Sequence, residues 1–220
     1  MDDALKVFLL ILSGLLPIVD PLAGSPIFLA LTSGYSREMR RALSRRVAVD
    51  SFFLMIGSYL VGAHVLSFFG VSLPVVQVGG GLVVAAVGWK MLMQNNTDSA
   101  EPARKNIEPQ DEFSQAFYPL TMPLTVGPGS ISVAITLGAN STHRYGVHFL
   151  FILVALIAMA LIALTIFLCY GFAERLSRIV GRTGTNVIVR LSSFLLVCIG
   201  VQIAWNGISA LLLSLHFHVR

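Results

Sequence analysis

Apolar residues along this chain do not alternate with polar ones. They run together in six long stretches, near Leu5–Leu31, Val47–Phe69, Leu73–Met93, Phe113–Leu137, Val147–Tyr170 and Val187–Leu215. At 1.5 Å per helical residue each stretch is long enough to cross about 30 Å of hydrocarbon. The pattern predicts an all-α integral membrane protein with six transmembrane helices in one domain, residues 1–220. Composition agrees, being 55% hydrophobic and 12% charged, about half the charge fraction of a soluble domain. The first stretch reads poorly as a cleaved leader, since it begins Met1-Asp2-Asp3 and stays apolar with no Ala-x-Ala site.

The charge pattern orients the spans. Arg37, Arg40, Arg41, Arg45 and Arg46 follow span one, and Lys90, Arg104 and Lys105 follow or end span three. Arg175, Arg178, Arg182 and Arg190 follow span five. Lys6, Arg144 and Arg220 are the basic residues left for the opposite side. The positive-inside rule then places both termini outside and the arginine-rich loops in the cytoplasm. The net charge of +4 is a topology signal and does not point to nucleic acid. Cys169 and Cys198 fall inside spans five and six and lack disulfide or metal spacing, so they are expected to be core fillers with no metal and no cofactor.

Two proline-glycine breaks interrupt spans one and four. The first reads Pro17-Ile-Val-Asp20-Pro21-Leu-Ala-Gly24-Ser25-Pro26; the second reads Pro119-Leu-Thr-Met122-Pro123-Leu-Thr-Val-Gly127-Pro128-Gly129-Ser130. Spans three and six also align, Gly79-Gly80-Gly81 through Gly88 against Leu191-Ser192-Ser193 through Gly200. Each unit holds three spans, an odd number, so the second copy must be inverted relative to the first. The expectation is two inverted three-helix repeats, about 1–93 and about 116–220, with helices 1 and 4 broken. The polar segment 94–115 reads as a mobile cytoplasmic linker. Small residues in spans three and six suit close helix contact.

A proline inside a membrane helix frees backbone groups that must be buried or face a wet cavity. Ser25-Pro26 and Gly127-Pro128 look like fresh helix starts, a cap followed by a first-turn proline, with Ser130 a second cap candidate. Inverted symmetry would bring the two starts together near the midplane. Their free N–H groups and partial positive charge suit a carboxylate, and Gly24, Gly127 and Gly129 would let a small solute approach the backbone. The substrate-binding set read this way is Asp20, Pro21, Gly24, Ser25, Pro26, Met122, Pro123, Gly127, Pro128, Gly129 and Ser130. Gln77, Gln202 and Asn206 join it as amides able to line a chamber or to bond between helices. Asp20 is the ionisable group nearest mid-bilayer, suited to a substrate ammonium or a coupling proton or sodium ion, and equally to capping its own break. Asp50 is expected to pair with Arg46, Lys90 to snorkel, and His64 to face water or be hydrogen-bonded near the outer end of span two.

The segments Pro119 to Ser130, Leu195-Leu-Val-Cys-Ile-Gly-Val-Gln202 and Asp20-Pro21-Leu-Ala-Gly-Ser-Pro-Ile-Phe28 resemble the MarC family of bacterial inner-membrane proteins, which includes SnatA-type neutral amino acid transporters. The likeness covers essentially the whole chain. It implies a six-span fold related to lysine exporters, a place in the bacterial inner membrane, and movement of glycine, alanine or similar solutes coupled to an ion gradient. Lys90 stands where the family pattern leads one to expect a neutral residue. The expected function is a secondary transporter working by alternating access. Its partners are a small amino acid-like solute, membrane lipid and a coupling proton or sodium ion, and a homo-oligomer stays open. A passive channel is the nearest rival. An enzyme is disfavoured because no Gly-x-Ser-x-Gly, His-Glu-x-x-His or second acid near Asp20 is present, so no catalytic residue is assigned.

Overall fold

The computed structural model describes residues 2–93, 116–145 and 149–218, and these fold as eight helices with no strand. They are α1 (Asp2–Val19), α2 (Pro21–Leu31), α3 (Arg37–Phe68), α4 (Leu73–Met93), α5 (Ala116–Thr125), α6 (Pro128–Tyr145), α7 (Phe149–Gly171) and α8 (Ala173–His218). Among them five segments are long and apolar enough to cross a membrane: Asp3–Leu31, Arg37–Phe68, Leu73–Met93, Phe149–Gly171 and Thr183–Ser214. The expected fourth span, Phe113–Leu137, is no single helix. It divides into α5 and α6, and its first residues, like the expected linker at 94–115, lie outside the described residues.

Two boundaries differ from the sequence expectation. The arginine-rich stretch after the first break is not a loop, because α3 already begins at Arg37, with the Ser36 hydroxyl accepting the Met39 N–H at 3.2 Å. The stretch after α7 is also helical, running from Ala173 to a bend at Gly181, where φ is 68°. Only glycine takes that backbone region without strain. Between these two basic segments Arg40, 8% exposed, forms a clasp. Its guanidinium donates to Glu174 Oε1 at 2.7 Å, to the Thr32 carbonyl at 3.1 Å and to the Tyr35 carbonyl at 3.3 Å. Arg37 adds a second contact to Glu174 at 3.0 Å. The Arg40 hydrogen bond, then both guanidinium charges, hold Glu174 below the usual carboxylate range. The expected Arg46–Asp50 pair is present at 3.2 Å.

The core follows helical spacing. On α1, Val7, Ile11 and Leu15 are buried while Leu5, Leu9 and Leu10 face outward. On α7, Ala155, Met159, Ile162, Ile166 and Tyr170 turn inward. Outward-facing Phe53, Phe68, Trp89 and Trp205 give the bundle an apolar exterior. In lipid such a bundle gains little from hiding apolar surface and depends on close packing between helices.

The most extensive helix contact is between α4 and α8. A Cβ on Gly81 would strike the Gly200 carbonyl and the Ala204 amide, and one on Gly88 would strike the Ser193 carbonyl. One on Gly200 would strike Gly81 and Ala85 in return, and one on Gly207 would strike the Pro74 carbonyl. Pro74, Gly81 and Gly88 thus meet Gly207, Gly200 and Ser193 in reverse order, so the two helices run antiparallel. Gly79, in the same glycine run, has no neighbour near its Cβ position. Cys169 is half-buried, whereas Cys198 is exposed on the outer face of α8 and fills no core.

Candidate functional site

Both interruptions open onto one cavity of about 400 Å³. Asp20 and Gly24 bring the first break to its wall, and Gly127, Pro128, Gly129 and Ser130 bring the second. The facing wall is a single stripe of α4, Val83, Val84, Val87 and Lys90, residues three and four apart that share a helix face.

The first break is one residue wide. Asp20 sits between α1 and α2 with φ 40° and ψ 65°, left-handed values that Asp and Asn tolerate better than other side chains. Its Oδ1 accepts the Ala23 N–H at 3.2 Å, capping α2, and Pro21 fills the first helical position. Ser192 of α8 approaches the same carboxylate, yet Oδ2 is buried with no partner in hydrogen-bond geometry. The fresh helix therefore starts at Asp20-Pro21, not at Ser25-Pro26. Ser25 lies inside α2 and donates its hydroxyl to the Leu22 carbonyl at 2.9 Å. That carbonyl is the one Pro26, lacking an N–H, leaves without a helical donor.

The second break is longer. α5 is a wide, π-type turn with extended backbone at Tyr118 and Met122, and α6 starts at Pro128 as expected. Threonine hydroxyls stitch α5, Thr121 donating to the Ala116 carbonyl and Thr125 to the Leu120 carbonyl, each at 2.7 Å. The first backbone bond of α6 runs from the Ile131 N–H to the Gly127 carbonyl at 3.1 Å, so the Gly129 and Ser130 amides before it have no acceptor within the helix, and both residues line the cavity.

Tyr170, fully buried at the end of α7, ties the two breaks together. Its Oη lies 3.0 Å from Thr125 Oγ1, and its ring stacks on Phe28 with centroids 4.6 Å apart. A Cβ on Gly24 would fall against that same Oη. Gly24 is thus needed for close approach of α2 to α7.

Of the residues the sequence singled out, Asp20, Gly24, Gly127, Pro128, Gly129 and Ser130 are brought together. Pro21 is buried in α2 off the cavity wall, and Ser25 and Pro26 face a separate small crevice toward Leu176 and Thr185 of α8. Met122 is half-buried in α5, and the side chain of Pro123 lies outside the described residues. Gln77 is half-buried on α4, away from the cavity. Gln202 and Asn206 are exposed and bond to each other at 2.9 Å, one turn apart. Each amide supplies the other's partner, which lets the pair sit on the outer face of α8. His64 is exposed. Lys90, Thr125 and Tyr170 are the additions. Tyr170 had a signal, a polar-tipped ring ending a strongly apolar span; Thr125 had none beyond its place in the break.

Among the described residues no group of three or more His, Cys, Asp or Glu side chains is placed to hold a metal ion. A family described as "MarC family integral membrane protein" matches residues 5–212. The chain is 38% identical to the inner membrane protein MarC of Citrobacter koseri, covering 98% of this chain and 100% of that one. It is 36% identical to the protein of that name from Escherichia coli O1:K1 and 35% identical to that of Salmonella typhimurium, with the same coverage. No solved structure matches. Matched along nearly its whole length, the chain belongs to the MarC family of integral membrane proteins.

Proposed function

We propose that this protein is a secondary transporter of small solutes, of the neutral amino acid type, working by alternating access with a coupled proton or sodium ion. The observation that carries the reading is the cavity lined by both helix breaks. A cavity where helix starts converge offers N–H donors to a solute carboxylate, and the Asp20 carboxylate at its wall offers an acceptor to an ammonium or a coupling cation. In this reading the chain is not an enzyme, and its place is the inner membrane named for its relatives.

The architecture we infer is six spans in two inverted repeats, with both termini outside. The α4–α8 contact supports it. An offset of 112 residues carries Gly81 onto Ser193 and Gly88 onto Gly200. The contact pair Gly81–Gly200 then becomes Ser193–Gly88, which is the neighbouring contact pair. A pseudo-two-fold axis in the membrane plane would produce such a relation.

Purified protein in proteoliposomes, assayed with glycine, alanine, serine and threonine, tests the reading. Saturable flux of at least one is expected, and no flux from folded protein removes the proposal. Unsaturable flux without ion dependence favours the channel instead. Asp20→Asn keeps a residue that tolerates the left-handed backbone and removes the charge. Flux driven by a proton or sodium gradient should collapse to passive exchange, and unchanged gradient dependence refutes Asp20 as the ion site.

A further inference from the structure

We propose that Lys90 widens this site to amino acids bearing a second acidic group, an inference that rests on the transporter reading above. Lys90 shares the α4 face that lines the cavity, and no described carboxylate lies within ion-pair distance of it. An ammonium within a membrane span and without a counter-charge calls for an anion or water. The cavity supplies room for both.

Position fixes which part of a solute Lys90 meets. Val84 packs against Gly129 at the start of α6, and Lys90 stands six residues farther along, about 9 Å at the helical rise. The flexible stem of the lysine closes part of that gap. What remains suits the spacing between the two acid groups of a small dicarboxylic amino acid. One carboxylate sits at the α6 start, the ammonium reaches Asp20, and the second carboxylate reaches Lys90.

Charge balance points the same way. Asp20 caps the α2 start, and the ends of α1 and α5 at the same breaks offset the partial charges of the two helix starts, so the ammonium of Lys90 is the positive surplus. A zwitterion leaves that surplus unmatched, whereas a solute with one ammonium and two carboxylates neutralises it. Lysine-like cations are disfavoured by the same sum.

The test is ligand-dependent melting of the purified full chain with aspartate, glutamate or alanine, on wild type, Lys90→Met and Lys90→Arg. Lys90 is exposed, so neither replacement disturbs packing. Aspartate or glutamate should raise the melting temperature of wild type and Lys90→Arg. Lys90→Met should weaken the acidic amino acids by at least about tenfold, as loss of one charge-assisted hydrogen bond implies, with alanine changed less than about twofold. An acid shift that survives in Lys90→Met, or no acid shift in wild type, overturns the inference and assigns Lys90 to snorkelling alone. The transporter reading fails separately, when alanine raises the melting temperature yet crosses no proteoliposome membrane.

Discussion

Gly24 and Tyr170 offer a sharp test of the packing that joins the two breaks. In Gly24→Ala the new Cβ lies 2.5 Å from Tyr170 Oη, while the nearest ring carbons are 3.4 Å away. The ring has little freedom to yield, because it is fully buried, stacked on Phe28 and bonded to Thr125. Overpacking of this kind costs about 1–3 kcal/mol, and the helical preference of alanine over glycine returns at most about 1 kcal/mol. At about 2–4 °C per kcal/mol for a chain of this size, melting should fall by several degrees. Tyr170→Phe removes the colliding oxygen and one hydrogen bond, worth about 1 kcal/mol; Thr125 still donates to Leu120. In the Tyr170→Phe background the added methyl meets only ordinary contacts, so the double variant should melt no lower than Tyr170→Phe alone. Thermal unfolding of the four proteins in one detergent completes the cycle. Additivity within about 0.5 kcal/mol would mean that the two residues do not touch as described.

Other outcomes follow from the same geometry. Ser25→Ala leaves the Leu22 carbonyl without its donor and should cost about 1–3 kcal/mol with solute affinity unchanged; altered affinity with unchanged melting would return Ser25 to the binding site. Gly81→Leu should lower melting sharply by forcing α4 from α8, whereas Gly79→Ala should be neutral or raise it slightly, by up to about 1 kcal/mol; equal losses would deny the close contact. Glu174 is held below its ordinary range, so its contribution is present above the unfolded value of about 4.3 and lost as pH falls through the folded value. Glu174→Gln should flatten the acid limb of a melting-versus-pH curve, and an unchanged limb would show that the Arg40 clasp adds nothing.

The sequence made the breaks legible because proline has one unambiguous consequence, a missing donor. Pro128 marks the start of α6 as expected, whereas α2 starts at Pro21 and not at the expected Pro26. The position of the first cap was misread, since Ser25-Pro26 and Asp20-Pro21 are equally good cap-and-proline pairs on paper. Only the fold distinguishes them, Asp20 by its left-handed backbone and Ser25 by its bond to Leu22. The reach of α3 back to Arg37 was hidden because an arginine-rich segment carries no apolar stripe. Its folding rests on the Ser36 cap and on Glu174, a residue far away in sequence. Gln202 and Asn206 misled for a related reason: an amide in an apolar span signals a need for a partner without saying which one.

That ambiguity resolves for the hydroxyls and amides whose partners the fold supplies. Ser25, Thr121 and Thr125 each donate to a carbonyl in a broken helix, and Gln202 bonds to Asn206. Such groups maintain the interruption and have their donors engaged before any solute arrives. What is left at the cavity wall is Asp20, Lys90 and the start of α6. These have opposite charges and lie on separate helices. A solute that satisfies all of them therefore touches α2, α4 and α6 together. Its binding then stabilises one arrangement of those helices over any other, which is the differential interaction that alternating access requires.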